Sequence, residues 1–244
     1  MDSGFYSAFT GFSARLDELD LLANNLANTN TPGYKAQYSF YRALPAWLQA
    51  SLTTPLNTAV NRYGVLAGSH LDLTVGTIET TGNPTDLALE SSGFFNVQTK
   101  NGLRYTRAGN FQLNTQRQLV TPQGDLVLGE AGPIQIPTGV PTISADGTVS
   151  ADGAMVAKVK LTDFAADTPL TAEGSNYLVA PANAGKPAAN PQVRQGALET
   201  SNADPVGSAV SLIDVQRTAQ MMEKALSIFH NEFNKTAAQD LSRI

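Results

Sequence analysis

Residues 5–26 read FYSAFTGFSARLDELDLLANNL, and their apolar residues recur at alternating spacings of four and three. That spacing places them on one face of a helix, as a seam that needs a second helix to cover it. The seam residues are Phe5, Phe9, Phe12, Leu16, Leu19, Ala23 and Leu26. The helix is predicted to end near Asn28, because Thr31-Pro32-Gly33 combines a helix breaker with a turn residue.

The C-terminal residues 205–241 show the same alternation of three and four. Asp204-Pro205 is a helix-start signal, since a carboxylate accepts from free N–H groups and proline fits the first turn. An isolated amphipathic helix is marginal in water, so the two terminal helices are predicted to pair with each other. The alternative is that each packs separately on the central domain. The C-terminal seam residues are Leu212, Val215, Ala219, Met222, Leu226, Phe229, Phe233 and Thr236.

Between the helices the hydrophobic period changes from helical to two, which is typical of short β-strands. Asn101-Gly102 is predicted to be the turn of a hairpin, and two Asp-Gly turns, at 146–147 and 152–153, to flank another strand. The predicted fold class is therefore α+β. N- and C-terminal helices pair as a coiled coil around an inserted all-β module of short antiparallel strands.

The predicted domain boundaries follow from these patterns. They are 1–35 for the N-terminal helix, 36–74 for a linker without a clear period, 75–199 for the β module and 200–244 for the C-terminal helix.

Composition excludes several functional classes. The 244 residues carry a net charge of −5 and no cysteine. Because no stretch is strongly basic, nucleic acid is not an expected partner. The first residues lack a basic region followed by an apolar core, so no cleavable secretory signal is predicted. The longest charge-free run, 43–61, contains two prolines and is not expected to span a membrane.

The sequence contains no recognisable catalytic or metal-binding motif. Turns, packing or surface positions explain the few titratable candidates. No catalytic residue, cofactor, metal site or small-molecule substrate is therefore predicted, and the chain is not expected to be an enzyme. The candidates considered are His70, His230, Asp146, Asp152, Asp163, Asp167 and the pair Gly185-Lys186.

Two terminal motifs resemble one known family. Residues 23–35, ANNLANTNTPGYK, closely resemble the N-terminal signature of bacterial flagellar axial proteins, the rod, hook and hook-associated family. Residues 196–202, GALETSN, are similar to the family motif that precedes the last helix, and 105–111, YTRAGNF, to the β domain of rod proteins. The signature residues are Asn24, Asn25, Leu26, Asn28, Thr31, Gly33, Tyr34, Lys35, Leu198, Glu199, Ser201 and Asn202.

The resemblance implies a structural axial subunit of the flagellar basal-body rod. In this family the terminal helices form an inner coiled-coil layer, and subunits assemble helically to transmit torque across the periplasm. The implied partners are copies of the chain, other rod proteins and the flagellar type III export apparatus. A single β module, the opening MDSGFY and residues 129–134 favour the proximal-rod protein, with the distal-rod protein as the alternative. Other classes considered are a peptidoglycan-acting or other envelope enzyme, and a coiled-coil adhesin or phage-tail-like subunit.

Three asparagines lie in the last turns of the predicted first helix, although Asn is a mediocre helix former. A side-chain amide has both donors and an acceptor. We therefore expect Asn24, Asn25 and Asn28 to form hydrogen bonds with neighbouring subunits in the assembled rod. The alternative is that they mark only the fraying and capping of the helix end.

Overall fold

The structure, a computed structural model, describes residues 2–42, 65–174 and 176–241, with side chains for 9–40, 68–174, 176–228 and 231. These residues form two compact units. The described part of the helical unit comprises 2–27, 37–42, 65–70 and 204–241, and that of the β unit comprises 28–36, 71–174 and 176–203. Residues 28–35 were expected to complete the N-terminal helical domain and Ala36 to begin the linker, whereas all nine lie in the β unit.

Two long helices dominate the helical unit: α1, Asp2–Ala27, and α2, Pro205–Leu241. The α2 helix begins where the sequence predicts, because Asp204 Oδ1 accepts a hydrogen bond of 3.0 Å from the N–H of Val206. The two helices pack against each other, so an α+β fold with packed terminal helices is confirmed. Their coiled-coil geometry stays a prediction. No helix in the described part of the chain is both long and apolar enough to cross a membrane.

The inner face of α2 follows the predicted seam. Its buried residues are Val215 and Ala219, and Leu212, Met222 and Leu226 are half-buried at the expected spacing. The side chains of Phe229, Phe233 and Thr236 lie outside the described residues.

The inner face of α1 differs from the predicted seam. Phe9 and Leu16 are 53% and 44% exposed, and the buried positions on this helix are Ala14 and Asn25. A Cβ at Gly11 would lie 4.0 Å from Cε of Met222, so this side of α1 faces α2, whereas Phe9 and Leu16 lie on the opposite side. Ala23 is also exposed, Phe12, Leu19 and Leu26 are half-buried, and the side chain of Phe5 lies outside the described residues.

The predicted linker contains two paired strands that the sequence analysis missed. They are β1, Gln37–Arg42, and β2, Val65–Leu71. Tyr38 and Phe40 of β1 are exposed, and their rings lie 6.0 and 6.3 Å from the ring of His70. Residues 43–64 of the predicted linker lie outside the described residues.

The β unit is built from short antiparallel strands, as predicted. Ten of them form one sheet in the order β15-β16-β6-β5-β9-β8-β7, with β10 on β9, β14 on β5 and β17 on β14. Separate small sheets are β11-β12-β13, β18-β4 and β19-β3. The strands are β3 (Ile78–Thr80), β4 (Leu87–Leu89), β5 (Phe94–Thr99), β6 (Gly102–Thr106), β7 (Gln112–Leu113), β8 (Leu119–Val120), β9 (Leu126–Gly129), β10 (Gly132–Pro133), β11 (Thr142–Ile143), β12 (Thr148–Ala151), β13 (Ala154–Lys158), β14 (Leu161–Asp163), β15 (Thr171–Glu173), β16 (Tyr177–Val179), β17 (Lys186–Pro187), β18 (Val193–Gln195) and β19 (Ala197–Glu199).

Two predicted hairpins are present, one with a shifted turn. Asp152-Gly153, both at positive φ, form the turn between β12 and β13 as expected. In the β5–β6 hairpin Thr99 pairs with Gly102, so the turn is 100–101 and lies one residue before the predicted one. In the observed register Phe95 pairs with Thr106.

The core of the β unit is one apolar cluster drawn from strands across the whole module. Phe95 and Phe111 meet edge to face at its centre, with ring centroids 5.1 Å apart. A polar network lies beside it, in which the buried Tyr177 hydroxyl donates to Asp125 Oδ2 at 2.8 Å and contacts Thr121 Oγ1 at 2.8 Å. Burial, together with Asp125, raises the pKa of Tyr177 to about 12.

This raised pKa predicts an alkaline loss of stability. The phenol ionises near pH 10 in the unfolded chain but only near 12 in the folded one, so its contribution is fully present below pH 10 and is lost between pH 10 and 12. We expect the unfolding free energy to fall there by about 1.4 kcal/mol per pH unit from this group. Tyr177→Phe should flatten the slope measured by urea unfolding, and an unchanged slope would assign it to other groups.

Candidate functional site

The two signature segments, 28–36 and 196–203, meet inside the β unit. The N–H of Gly33 donates to the backbone oxygen of Glu199 at 2.8 Å, and the N–H of Asn202 donates to that of Tyr34 at 3.4 Å. The chain therefore enters and leaves the β unit side by side. These two segments, with residues 71–77 and 106–109, are called the junction below.

Glycines allow the backbones of the junction to cross. Gly33 has φ +67°, and a Cβ there would lie 2.2 Å from the nitrogen of Ala108. A Cβ at Gly76 would lie 2.1 Å from the oxygen of Thr200, and Gly109 meets a backbone oxygen still closer. Since real Cβ atoms never approach so closely, any side chain at these positions would force the segments apart.

A buried ion cluster lies at the centre of the junction. Lys35 Nζ contacts Glu199 Oε1 at 2.6 Å, and Arg107 Nη1 contacts Glu199 Oε2 at 3.2 Å. The two basic side chains are 3% exposed and the carboxylate is 0% exposed. One carboxylate thus joins the entering segment, the β unit and the leaving segment by charge-assisted hydrogen bonds.

Backbone groups complete the coordination of the cluster. Lys35 Nζ also donates to the oxygen of Thr74 at 2.5 Å, and the N–H of Gly76 donates to Glu199 Oε1 at 3.0 Å. Arg107 donates to two further backbone oxygens, those of residues 89 and 91, at 3.3 and 3.0 Å. Its guanidinium lies 5.3 Å from the centre of the Phe94 ring.

Burial sets the electrostatics of these groups. It lowers the pKa of both Lys35 and Arg107, because desolvation disfavours their charged forms, and the Glu199 carboxylate opposes that effect. Neither cation is open to solvent, so the cluster offers no surface for a substrate. Its role is to hold three chain segments together.

Asn202 provides a second link between the same segments. Its Oδ1 accepts from the N–H of Ala36 at 2.8 Å, and its Nδ2 donates to the backbone oxygens of Asp72 and Thr74 at 2.8 and 3.1 Å. Tyr34, Ala36 and Ala203 pack together in a small buried apolar cluster.

The remaining signature residues have local roles. Thr31 Oγ1 donates to Asn28 Oδ1 at 3.0 Å in the turn before Gly33, and Ser201 Oγ accepts from the N–H of Ala203 at 3.1 Å. Leu198 is half-buried on β19.

Asn25 departs from expectation. Its buried amide donates to the backbone oxygen of Gln37 at 2.8 Å and accepts from the N–H of the same residue at 3.0 Å, which fixes β1 against the end of α1. Asn24 donates to the oxygen of Asp20 one turn earlier. A residue of its own chain therefore already bonds to the Asn25 amide, and the inter-subunit bond stays a prediction.

Sequence reasoning assigned no role to Arg107, Thr74 or Gly76. One available signal was charge, because Lys35 and Glu199 are the only charged residues of segments 28–36 and 196–203. If two segments pack together and each carries one charge, of opposite sign, those two charges are expected to form an ion pair. Arg107 lies within the family-like stretch 105–111, but nothing in the sequence around it indicates that its side chain is buried.

The titratable candidates are dispersed. Asp163 accepts from Ser92 Oγ at 2.8 Å, Asp146 and Asp152 accept from neighbouring threonines, and His70 lies beside exposed aromatic rings. Asp167 is exposed, and the side chain of His230 lies outside the described residues. Among the residues that the structure describes, no three His, Asp or Glu side chains form a group that could hold a metal ion.

The described residues form two packed terminal helices and a β unit closed by a buried ion cluster, an arrangement that suits a structural protein. Comparison with known families agrees. Residues 5–35 match the family described as flagella basal body rod protein. Residues 88–151 match the flagellar hook protein FlgE/F/G D1 domain, and residues 194–237 match the flagellar basal body rod FlgEFG protein C-terminal region.

Individual relatives cover nearly the whole chain. Flagellar basal-body rod protein FlgF of Salmonella typhimurium is 36% identical over 249 residues, spanning 95% of this chain and 96% of that protein. FlgF of Caulobacter vibrioides is 32% identical over 250 residues, spanning 100% of both. Rod protein FlgG of Bacillus subtilis is 31% identical over 251 residues, spanning 91% and 93%.

The chain belongs to the flagellar basal-body rod protein family. It is a structural rod subunit of the proximal-rod type and not an enzyme, as the sequence analysis predicted.

Proposed function

We propose that the chain assembles helically with copies of itself and with other rod proteins, and transmits torque across the periplasm. The junction carries this proposal. The chain passes between the helical unit and the β unit at 27–28, 36–37, 70–71 and 203–204, and all four points lie in or beside junction segments. Force passing from one unit to the other within a single chain must therefore cross the junction.

The bonds of the junction suit this role. Lys35, Arg107 and Asn202 each bond to more than one segment, so a load is shared among several buried hydrogen bonds. Buried charge-assisted bonds have narrow geometry and are shielded from water, which favours a stiff β unit at the point where the chain enters and leaves it. A torque-bearing subunit needs stiffness and no proton transfer or nucleophile.

Export is part of the same proposal. We propose that the flagellar type III apparatus takes the chain across the inner membrane without a cleaved signal peptide, and that the export apparatus is a transient partner. A chain without cysteine forms no disulfide in an oxidising compartment.

Localisation in isolated basal bodies tests the proposal. An epitope-tagged chain should restore motility to a strain that lacks its own copy, and gold-labelled antibody should mark the proximal part of the rod. Label confined to the distal part would contradict a proximal position. Recovery of the functional tagged chain only in the soluble periplasm would overturn the proposal.

A substitution in the inner seam of α2 tests the role of helix packing. Leu226 is half-buried on the inner face of α2, and Leu226→Asp places an unpaired carboxylate on that apolar face at a cost of several kcal/mol. We expect rod assembly and swarming to fail while the thermal unfolding of the β unit is unchanged. Ser227→Asp, at the exposed neighbouring position, is the matched control and should swarm normally. Normal swarming of the Leu226 variant would show that this face is not required.

A further inference from the structure

The α2 helix carries a second apolar stripe on the side opposite its contact with α1. Its members are among the most exposed large apolar residues of the chain, and Val210 and Met221 are 62% and 64% exposed. The stripe consists of Val206, Val210, Ile213, Met221 and Ile228.

Two basic residues, Arg217 and Lys224, complete the stripe. With them the positions run 206, 210, 213, 217, 221, 224 and 228, which is a spacing of four, three and four, followed by four, three and four. An 11-residue repeat has 3.67 residues per turn, close to the 3.6 of a straight α-helix, so the stripe stays on one face along its whole length. We call it the α2 outer face.

The α1 helix has an outer face too, and its charge is of opposite sign. Phe9 and Leu16 are exposed there, away from the buried Ala14, and Asp17 and Asp20 are exposed beside them. In the part of the chain that the structure describes, neither of these aspartates and neither Arg217 nor Lys224 forms an ion pair. Each helix thus presents an apolar face bordered by charges without a counterion.

We propose that the α1 outer face of one copy of the chain docks on the α2 outer face of a second copy. Apolar side chains meet in the centre, and Asp17 and Asp20 lie against Arg217 and Lys224. Two α1 outer faces would bring carboxylates together, and two α2 outer faces would bring cations together. The charges therefore favour pairing of an α1 outer face with an α2 outer face. This interface deepens the proposed function and rests on it.

Unlike pairing has a geometric consequence. A contact between two different faces is heterologous, so each copy keeps one free face of each kind and further copies can be added. A contact between identical faces would close as a dimer. The interface therefore accounts for continued growth of an assembly.

Cysteine cross-linking tests the pairing in assembled basal bodies, because the native chain has no cysteine. Leu16→Cys and Ile213→Cys lie on outer faces that point away from the α1–α2 contact, so a short cross-linker cannot join them within one chain. The tagged double variant should give a ladder of multimers, and each single variant should give monomer only. Dimers from a single variant, or no ladder from assembled double variant, would overturn the interface.

Charge reversal supplies a second test. Arg217→Glu with Lys224→Glu makes both faces acidic and should reduce the cross-linked ladder by about tenfold or more. Adding Asp17→Arg and Asp20→Arg to the same chain should restore it. Lys100→Glu with Lys160→Glu, exposed in the β unit, changes the net charge equally and should have no effect. Equal loss in this control, or no rescue in a chain that enters basal bodies, would refute the pairing.

The two proposals fail in different ways. If the chain is present in the rod but the expected cross-links do not form, the interface is refuted and the proposed function stands. If the chain is absent from the rod of a motile strain, the proposed function is refuted and the interface with it.

Discussion

Glu199→Ala is expected to destabilise the β unit by about 3–5 kcal/mol, because it leaves Lys35 and Arg107 buried without a counterion. The Gly76 N–H loses its acceptor as well. Hydrogen exchange of β-unit amides in the full chain measures the loss, and swarming should fail with it if the junction carries load.

A matched control separates burial from loss of charge. Glu173→Ala removes the ion pair between Arg104 and the exposed Glu173 carboxylate, and should destabilise the β unit much less than Glu199→Ala does. Replacing Lys35, Arg107 and Glu199 together by Met should recover part of the stability, since no unpaired charge then remains. Equal effects of the Glu199 and Glu173 substitutions would show that the cluster does not hold the junction.

Gly33→Ala should be at least as damaging, with a cost of about 4 kcal/mol or more. The new Cβ would lie 2.2 Å from the backbone nitrogen of Ala108, and backbone atoms cannot yield as a flexible side chain does. The substitution should separate the entering segment from the β unit. The N–H of residue 33 donates to the backbone oxygen of Glu199 in the native chain, so faster hydrogen exchange of that N–H in the variant would report the separation.

Gly82→Ala is the control for backbone strain alone. Gly82 has φ +74°, close to that of Gly33, but a Cβ there would meet nothing within 4 Å. Its cost should therefore be the left-handed strain, roughly 1–2 kcal/mol. The difference between the two variants isolates the steric crossing at the junction, and similar costs would mean that the crossing relaxes.

Local signals were predictable from the sequence. Asp204-Pro205 begins α2, and Asp152-Gly153 makes its hairpin, because capping and positive φ depend on residues a few positions apart. The α2 seam also follows from spacing. On α1 the same rule chose the large residues Phe9 and Leu16, whereas the buried positions are the small Ala14 and the polar Asn25.

The junction was not predictable from spacing, because its contacts join distant parts of the chain. Lys35 and Glu199 are 164 positions apart, and neither periodicity nor turn chemistry links them. The family-like motifs marked both residues without saying that they touch. A motif shows which residues matter, but the pairing of residues from two motifs needs a fold.

The separation of Lys35 and Glu199 also determines when the molecule can finish folding. A polypeptide is synthesised from its N-terminus, so Lys35 is available long before the glutamate that it binds. Several strands between them can pair early, because they are neighbours along the chain, whereas contacts that close loops as long as this one form late. Until residue 199 has emerged, the carboxylate that accepts a hydrogen bond from Arg107 is missing. Completion of the β unit therefore reports that nearly the entire polypeptide has arrived.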